Sequence, residues 1–326
     1  MSEDNRARLL LTGSTGFLGT ALVDCLVDDT RYQLVAAMRR ERGNLASGLQ
    51  SILVGDLEAS TDWTLALSGV EVIIHTAACV HVMNDSDNDS FIEFRRVNVE
   101  GTLNLARQAA AAGVKRFIFI SSIKVNGEST PLNQPYTSED DPAPLDAYGI
   151  SKREAEDGLY KLAEKTGMEV VIIRPPLVYG VGVKANFLTM MRWLNKGIPL
   201  PLGVIHNKRS LVALDNLVDL IVTCIDHFAA ANQTFLVSDD EDLSTTELLQ
   251  HMAIALGRPV RLLPVHAGLL KAGAMILGRR EAAQRLLGSL QVDISKTKKI
   301  LSWTPPLGVN EAFKKTAEDF LVRYKH

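Results

Sequence analysis

Cysteine is scarce. Cys25, Cys79 and Cys224 are the three in 326 residues, far apart and without paired spacing. That excludes a disulfide scaffold and a cysteine metal knuckle. It suits a reducing cytosol, and no metal site is expected. Charge of one sign is lacking too: the net charge is −3, which offers nucleic acid no broad basic field. No apolar run approaches the length of a membrane span. The opening MSEDNRARLLLTG has neither the apolar core nor the small-residue cleavage site of a signal peptide. The most lipophilic piece, AGLLKAGAMILG (267–278), reads as a buried or substrate-facing helix, with a peripheral membrane contact as the other reading. These absences together lead us to expect a cytoplasmic protein without an integral membrane segment.

What is present is ordinary globular composition, 46% hydrophobic and 22% charged, enough to bury a large core. The length allows two domains, or one α/β unit with a substantial extension. In the first half, short β-rich runs alternate with helical patterns. RLLLT (8–12), YQLVAAM (32–38), SILVG (51–55), EVIIHT (71–76), RFIFISS (116–122) and EVVIIRP (169–175) read as strands. Amphipathic stretches such as FLGTALVDCLVDD and RRVNVEGTLNLARQAAAAG lie between them. Near-continuous apolar strands separated by helices predict a doubly wound parallel sheet covered on both faces, an α/β fold. After Pro175 and Pro176 helices dominate, with short strands such as QTFLVS. The expected division is therefore 1–175 for the sheet domain and 176–326 for a smaller, mostly helical substrate cap.

LLLTGSTGFLGTAL is strand, glycine turn, helix. Gly13, Gly16 and Gly19 form G-x-x-G-x-x-G. The first glycine permits the tight turn, the second lets backbone approach a pyrophosphate, and the third packs helix on strand. The helix N-terminus then faces the phosphates. This context makes the motif a Rossmann-type dinucleotide signature, with Phe17 and Leu18 in the cofactor-contacting turn. The second strand ends in VAAMRRERG, where an NAD site usually carries an acid for the ribose. Arg39 and Arg40 stand there instead, with Glu41 beyond them. Arginine matches a 2′-phosphate by charge-assisted bidentate bonds, so NADP(H) is expected over NAD(H). The alternative is a solvated basic strand end. After the third strand, Asp56 and Leu57 suit an adenine contact. After the fourth, Ala77 and Ala78 allow close backbone approach to the cofactor. His75 reads as a packed strand-end histidine, and His81 as a loop residue with a slight case for touching substrate.

The fifth strand ends in Ser121 and Ser122, at the carboxyl edge where parallel sheets place chemistry. DAYGISKREAED (146–157) then sets Tyr148 and Lys152 four residues apart at the front of a helix, on one face. A phenol titrates near pH 10, so proton exchange at neutral pH needs about 4 kcal/mol of differential stabilisation. The lysine ammonium and an oxidised nicotinamide ring both favour the phenolate. A serine hydroxyl can hold the substrate oxygen while hydride moves at its carbon.

Taken together, TGSTGFLG, GDL, HTAA, VNVEGTLNL, ISSIKVNG, YGISK and RPPLVYG resemble the extended short-chain dehydrogenase/reductase superfamily, in its NAD-dependent epimerase/dehydratase branch. The resemblance spans nearly the whole chain. It implies Ser122, Tyr148 and Lys152 as catalytic residues, with Tyr148 as acid/base. It implies that Lys152 holds the ribose and lowers the tyrosine's pKa. Asn98 would support the site, and Pro175 and Val178 would line the nicotinamide. Arg209, in NKRSLVALDNLVD, would bind the nucleotide diphosphate of a UDP-sugar, and Asn186 would lie near sugar and pyrophosphate. The family's acid beside that arginine is Ser210 here. Lys124 is unusual; it either faces the sugar or is solvated. A homodimer through the helices of 90–112 and 146–166 is implied as well.

The wording of FISSIKVNGE and YGISKREAE is most similar to reductases of UDP-4-keto-6-deoxy-N-acetylhexosamines, of the N-acetylquinovosamine or fucosamine type, which serve surface polysaccharide. The alternative is a UDP-glucose or UDP-N-acetylglucosamine 4-epimerase with tightly held NAD. Arg39 and the missing acid favour the reductase, which must exchange cofactor every turnover. A dehydratase would carry acids where Ile123 and Lys124 stand. A dinucleotide-sensing regulator would lose the Tyr–Lys pair, and this chain keeps both.

Overall fold

The computed structural model describes residues 6–41, 48–80, 87–278 and 280–324. The apolar runs become strands much as their composition requires: β1 (Ala7–Thr12), β2 (Tyr32–Met38), β3 (Gln50–Leu53), β4 (Val72–His75), β5 (Arg116–Ile120) and β6 (Glu169–Arg174). A further pair is β7 (Leu177–Tyr179) and β8 (Leu211–Ala213), and the last is β9 (Gln233–Leu236). Seven strands form one parallel sheet in the order β3-β2-β1-β4-β5-β6-β9. The order reverses between β1 and β4. Ligands of such sheets bind in the crevice at that switch point, beyond the carboxyl ends of the strands.

The helices are α1 (Phe17–Leu26), α2 (Asp87–Phe94), α3 (Thr102–Ala111), α4 (Ala147–Thr166), α5 (Ala185–Asn195), α6 (Leu214–Asp226), α7 (Thr245–Ala255), α8 (Ala267–Ile276), α9 (Arg280–Leu287), α10 (Ser295–Leu301) and α11 (Val309–Arg323). Between α2 and α3 the chain winds as a π-helix over Arg95–Gly101. Both sheet faces are buried. Leu9, Leu11 and Ile74 pack on one side with Leu22 of α1 and Leu217 of α6. Leu10, Ile73 and Phe117 pack on the other with Leu105 of α3 and Leu159 of α4. A third core, around Tyr179, Phe187 and Phe313, joins α5, α7 and α11.

Several elements beyond residue 175 belong to the sheet layers, α10 among them. QTFLVS, one of the later short strands, forms β9, the sheet edge beside β6. The apolar face of α6 lies over the same layer as α1. The run AGLLKAGAMILG departs from the expected burial. It is α8, and none of its side chains is buried; Leu269 is 69% and Ile276 85% exposed. Its glycines and alanines leave little apolar surface to dock inward, so the large side chains stay outside. No helix of the described residues is long and apolar enough to cross a membrane.

Candidate active site

The glycine turn is built by exclusion of side chains. Gly13 has φ +73°, and a Cβ there would lie 2.7 Å from the backbone nitrogen of Ala77. A Cβ on Gly19 would lie 2.0 Å from the Gly13 carbonyl oxygen. The loops after β1 and β4 therefore meet with no room for a methyl group. Gly16 is the N-cap of α1 and no side chain caps that end. The half-buried Phe17 and Leu18 follow it. An uncapped helix start above the switch point is the cradle a dinucleotide pyrophosphate needs, so these residues fit the cofactor their motif implies.

Arg39 and Asp56 both reach this edge, from the ends of β2 and β3. They face each other, with Arg39 Nε 3.6 Å from Asp56 Oδ1, and both are exposed. Such a pair is weak and easily rearranged. Leu57 presses its backbone and side chain on Gly101, where a Cβ would come within 2.7 Å. This contact seats the π-helical stretch. Asn98, buried within that stretch, accepts from the Cys79 backbone N–H at 2.8 Å and donates to the Cys79 carbonyl and to Ser151 Oγ. It thereby ties the loop that carries Ala77 and Ala78 to α4. Both alanines are half-buried.

His75 is wholly buried between Thr12 (2.7 Å) and Thr102 (3.0 Å), stacked on Phe119. Burial, with the Lys152 charge nearby, lowers its pKa to about 3. It is a neutral packing residue, as its strand-end position suggested. His81 lies outside the described residues.

Asp146 caps α4, accepting from the Gly149 backbone N–H at 2.7 Å. The helix then carries Tyr148 and Lys152 towards the end of β5. Tyr148 packs edge-on against Phe94, 5.9 Å between centroids. Its hydroxyl takes no hydrogen bond among the described residues. Burial, Asp146 and Cys79 push the phenol well above its usual range. Lys152 is buried. Its Nζ donates to the Ile120 carbonyl at 2.8 Å and sits 4.4 Å from the centre of the Phe119 ring. Burial lowers its pKa to about 7, against a smaller opposing pull from Glu156. The spacing thus places both groups on one helix, and the lysine Nζ is committed to the Ile120 carbonyl. It has turned inward under the sheet edge.

Ser122 caps a short 3-10 turn, accepting from the Lys124 N–H at 3.2 Å. The Pro175 carbonyl holds the same turn through the Ile123 N–H at 3.0 Å. Lys124 is half-buried and ion-paired with Asp146 and Glu128. Behind these residues lies a network that sequence reasoning missed. Glu156 takes both Nε (3.0 Å) and Nη2 (2.6 Å) of Arg174, and Ser121 Oγ donates to it at 2.5 Å. Arg174 continues to Asn126 at 2.9 Å. All four are buried. Removing one partner of such a pair costs about 3–5 kcal/mol. The signal was present: Glu156 is one further helical turn beyond Lys152.

Val178 is half-buried in β7, paired with Val212 of β8. Asn186 is exposed on the first turn of α5 and forms no bond among the described residues. Arg209 is half-buried, and its guanidinium donates to the carbonyls of Arg285 (2.9 Å) and Gly288 (3.1 Å). Desolvation lowers its pKa. Among the described residues no carboxylate pairs with it, which leaves a partly desolvated cation suited to an anion. Ser210, beside it, donates to Asp242 at 2.5 Å and accepts from the Val292 N–H. Asp242 thus partners the serine, not Arg209. Among the described residues no cluster of His, Cys, Asp and Glu could hold a metal ion.

Residues 9–238 match the NAD dependent epimerase/dehydratase family. A UDP-glucose 4-epimerase of Vibrio cholerae is 54% identical over 314 residues, 96% of this chain and 95% of that protein. An N-acetyl-alpha-D-glucosaminyl-diphospho-ditrans,octacis-undecaprenol 4-epimerase of Escherichia coli O157:H7 is 27% identical, over 80% of this chain and 77% of the other. Among solved structures, UDP-glucuronic acid 4-epimerase from Bacillus cereus, in complex with NAD, superposes with a TM-score of 0.79 at 19% identity, covering 98% of this chain and 97% of that one. The fold is common to these structures at low identity, and the sequence match is close over almost the full length. The chain belongs to the NAD-dependent epimerase/dehydratase family and is an enzyme of the extended short-chain dehydrogenase/reductase type.

Proposed function

We propose that this enzyme inverts C-4 of a UDP-hexose with NAD as a resident cofactor. The observation that carries the reading is the 54% identity to a UDP-glucose 4-epimerase across nearly all of both chains. The more distant 4-epimerase also acts, by its name, on a sugar held through a diphosphate. Arg209 suits such a group.

Bound NAD would supply the acceptor and donor for the C-4 hydride. Tyr148 takes the C-4 hydroxyl proton and gives it back to the inverted oxygen. Ser122 holds that oxygen, since its hydroxyl stands on the turn after β5. Lys152 has two N–H protons beyond its bond to Ile120, suited to a ribose. Phe17, Leu18, Asp56, Leu57, Ala77, Ala78, Asn98, Pro175 and Val178 complete the cofactor wall. Asn186 and Arg209 approach the sugar nucleotide. The reading includes cytoplasmic placement, supply of sugar nucleotide for surface polysaccharide, and a homodimer through α3 and α4, whose exposed groove carries Leu103 and Leu162 beside Gly158.

Arg209→Ala should raise the KM for the UDP-sugar about ten- to hundredfold and lower kcat much less, because a contact remote from C-4 binds ground and transition states alike. Steady-state kinetics decides it, and an unchanged KM removes Arg209 from the site.

A second reading is reduction of a UDP-4-keto-6-deoxy-N-acetylhexosamine by NADPH. It is favoured by Arg39 at the end of β2, where no acid stands. The two readings separate on product and cofactor. The epimerase should purify with NAD and convert UDP-glucose to a product of equal mass and changed retention, with no added cofactor. The reductase should consume NADPH and yield a product heavier by two hydrogens. Arg39→Asp should weaken NADPH binding about ten- to hundredfold. Under the epimerase reading it leaves turnover with NAD near the parent value; a loss of turnover in step with NADPH affinity favours the reductase.

A further inference from the structure

The protein carries a net charge of −3, yet its acids are unevenly spread. Two stretches, 181–214 and 248–280, contain ten lysines and arginines and not one aspartate or glutamate. The fold brings these stretches together. Leu200 pairs with Leu262 in an isolated bridge, and the Leu200 N–H donates to the Arg261 carbonyl at 3.0 Å. Arg258 reaches Asn195, and Arg261 reaches the Gly197 carbonyl. Lys196, Arg258, Arg261 and Lys271 are exposed, and none forms an ion pair among the described residues.

Exposed large apolar side chains lie on the same segments. On α8, Leu269, Met275 and Ile276 are 69%, 60% and 85% exposed. Leu269 and Ile276 are seven residues apart and share one helical face; the exposed cations that accompany that apolar set lie on the paired stretches, at Lys196, Arg258 and Arg261. Trp193, Ile198 and Leu263, on the two paired stretches, are between 41% and 51% exposed. No side chain of α8 is buried, and the helix packs on α9. The hairpin reaches the candidate site, because the carbonyls of Arg285 and Gly288 at the end of α9 hold Arg209.

We propose that this face, α8 together with the paired stretches around Leu200 and Leu262, docks on an anionic lipid bilayer. Apolar side chains enter the headgroup boundary while lysine and arginine stems extend to the lipid phosphates. A second copy of the chain fits poorly, because a two-fold contact would set the same unpaired cations against one another. The inference is independent of which sugar the enzyme takes.

Flotation of the full-length protein with vesicles tests it, using phosphatidylglycerol with phosphatidylethanolamine against pure phosphatidylcholine. Binding is expected to the anionic vesicles and should weaken as salt rises. Lys196→Ala should lower the partition constant about fivefold. The double variant Leu269→Glu, Ile276→Glu should lower it at least about tenfold. Both variants should retain solution turnover and the parent melting temperature, which separates lost docking from lost folding. No binding to anionic vesicles at low salt overturns the proposal, as does equal binding to phosphatidylcholine. So does undiminished binding by the double variant. Self-association by light scattering that the double variant abolishes, without vesicle binding, would assign the face to a second copy instead.

Discussion

Tyr148→Phe should fold normally, bind cofactor like the parent, and turn over roughly 10²–10⁴-fold more slowly. The structure explains both halves of this result. The ring packs edge-on against Phe94, and phenylalanine keeps that contact. The hydroxyl has no hydrogen-bond partner among the described residues, so its removal leaves no donor or acceptor stranded. What disappears is the transferable proton at the start of α4. Burial and the Asp146 carboxylate both hold that proton on the phenol, and the Asp146 charge is itself matched by Lys124. Lowering the phenol's pKa for proton exchange therefore requires a further positive charge, and an oxidised nicotinamide ring supplies one when bound. Single-turnover measurements on the purified variant, with nucleotide content checked by release and chromatography, give the answer. Near-parent turnover would remove Tyr148 from the chemistry.

Much of this site is legible in the sequence because its parts are local. Six strands follow from apolar runs bounded by turn residues, and their structural limits fall within two residues of the sequence reading at nearly every end. The glycine turn is legible because its requirement is steric: a Cβ at Gly13 or Gly19 meets backbone. His75 reads correctly as packing for the same reason, since a strand-end histidine beside apolar neighbours has nowhere to go. What escapes the sequence is partnership across the chain. QTFLVS gives no sign that it pairs with β6, sixty residues earlier, because a parallel edge strand looks like any short strand. Arg39 reads as a free cation until Asp56 appears opposite it from β3. Glu156 and Arg174 are ordinary residues on a helix and a strand until the fold buries them against each other. Ser210 looks like a plain substitution until Asp242, 32 residues on, accepts from its hydroxyl. In α8 the composition was apolar enough for a core helix, but burial depends on what a helix is packed against, and composition does not record that.

Lys152→Met should abolish most turnover and weaken cofactor binding, yet make the cofactor-free protein more stable at neutral pH. The gain comes from removing a buried charge. Lys152 lies beneath the sheet edge, with one bond to the Ile120 carbonyl, the Phe119 ring below it and Glu156 one turn away. Its pKa falls from the usual 10.5 to about 7 because burial disfavours the ammonium more than Glu156 favours it. The folded state thus binds the proton less tightly than the unfolded chain does. Below pH 7 both states are charged and the cost of burial is fully present. Between about 7 and 10.5 the folded protein sheds the proton first, so its stability rises with pH. Above that range neither state is charged and the cost is gone. Methionine matches the length without the charge, and the lost bond to Ile120 offsets about 1 kcal/mol. The variant should therefore melt a few degrees higher at pH 7, at about 1–2 °C per kcal/mol for a chain of this size, with the advantage vanishing towards pH 10.5. Added NAD should raise the parent's melting temperature and move the variant's far less, reversing their order, because the same ammonium is proposed to hold the ribose. A thermal series across pH, with and without NAD, reads all of this. A variant less stable than the parent at every pH would mean that Ile120, Phe119 and Glu156 outweigh the burial of the charge, and that Lys152 stabilises the fold it was expected to strain.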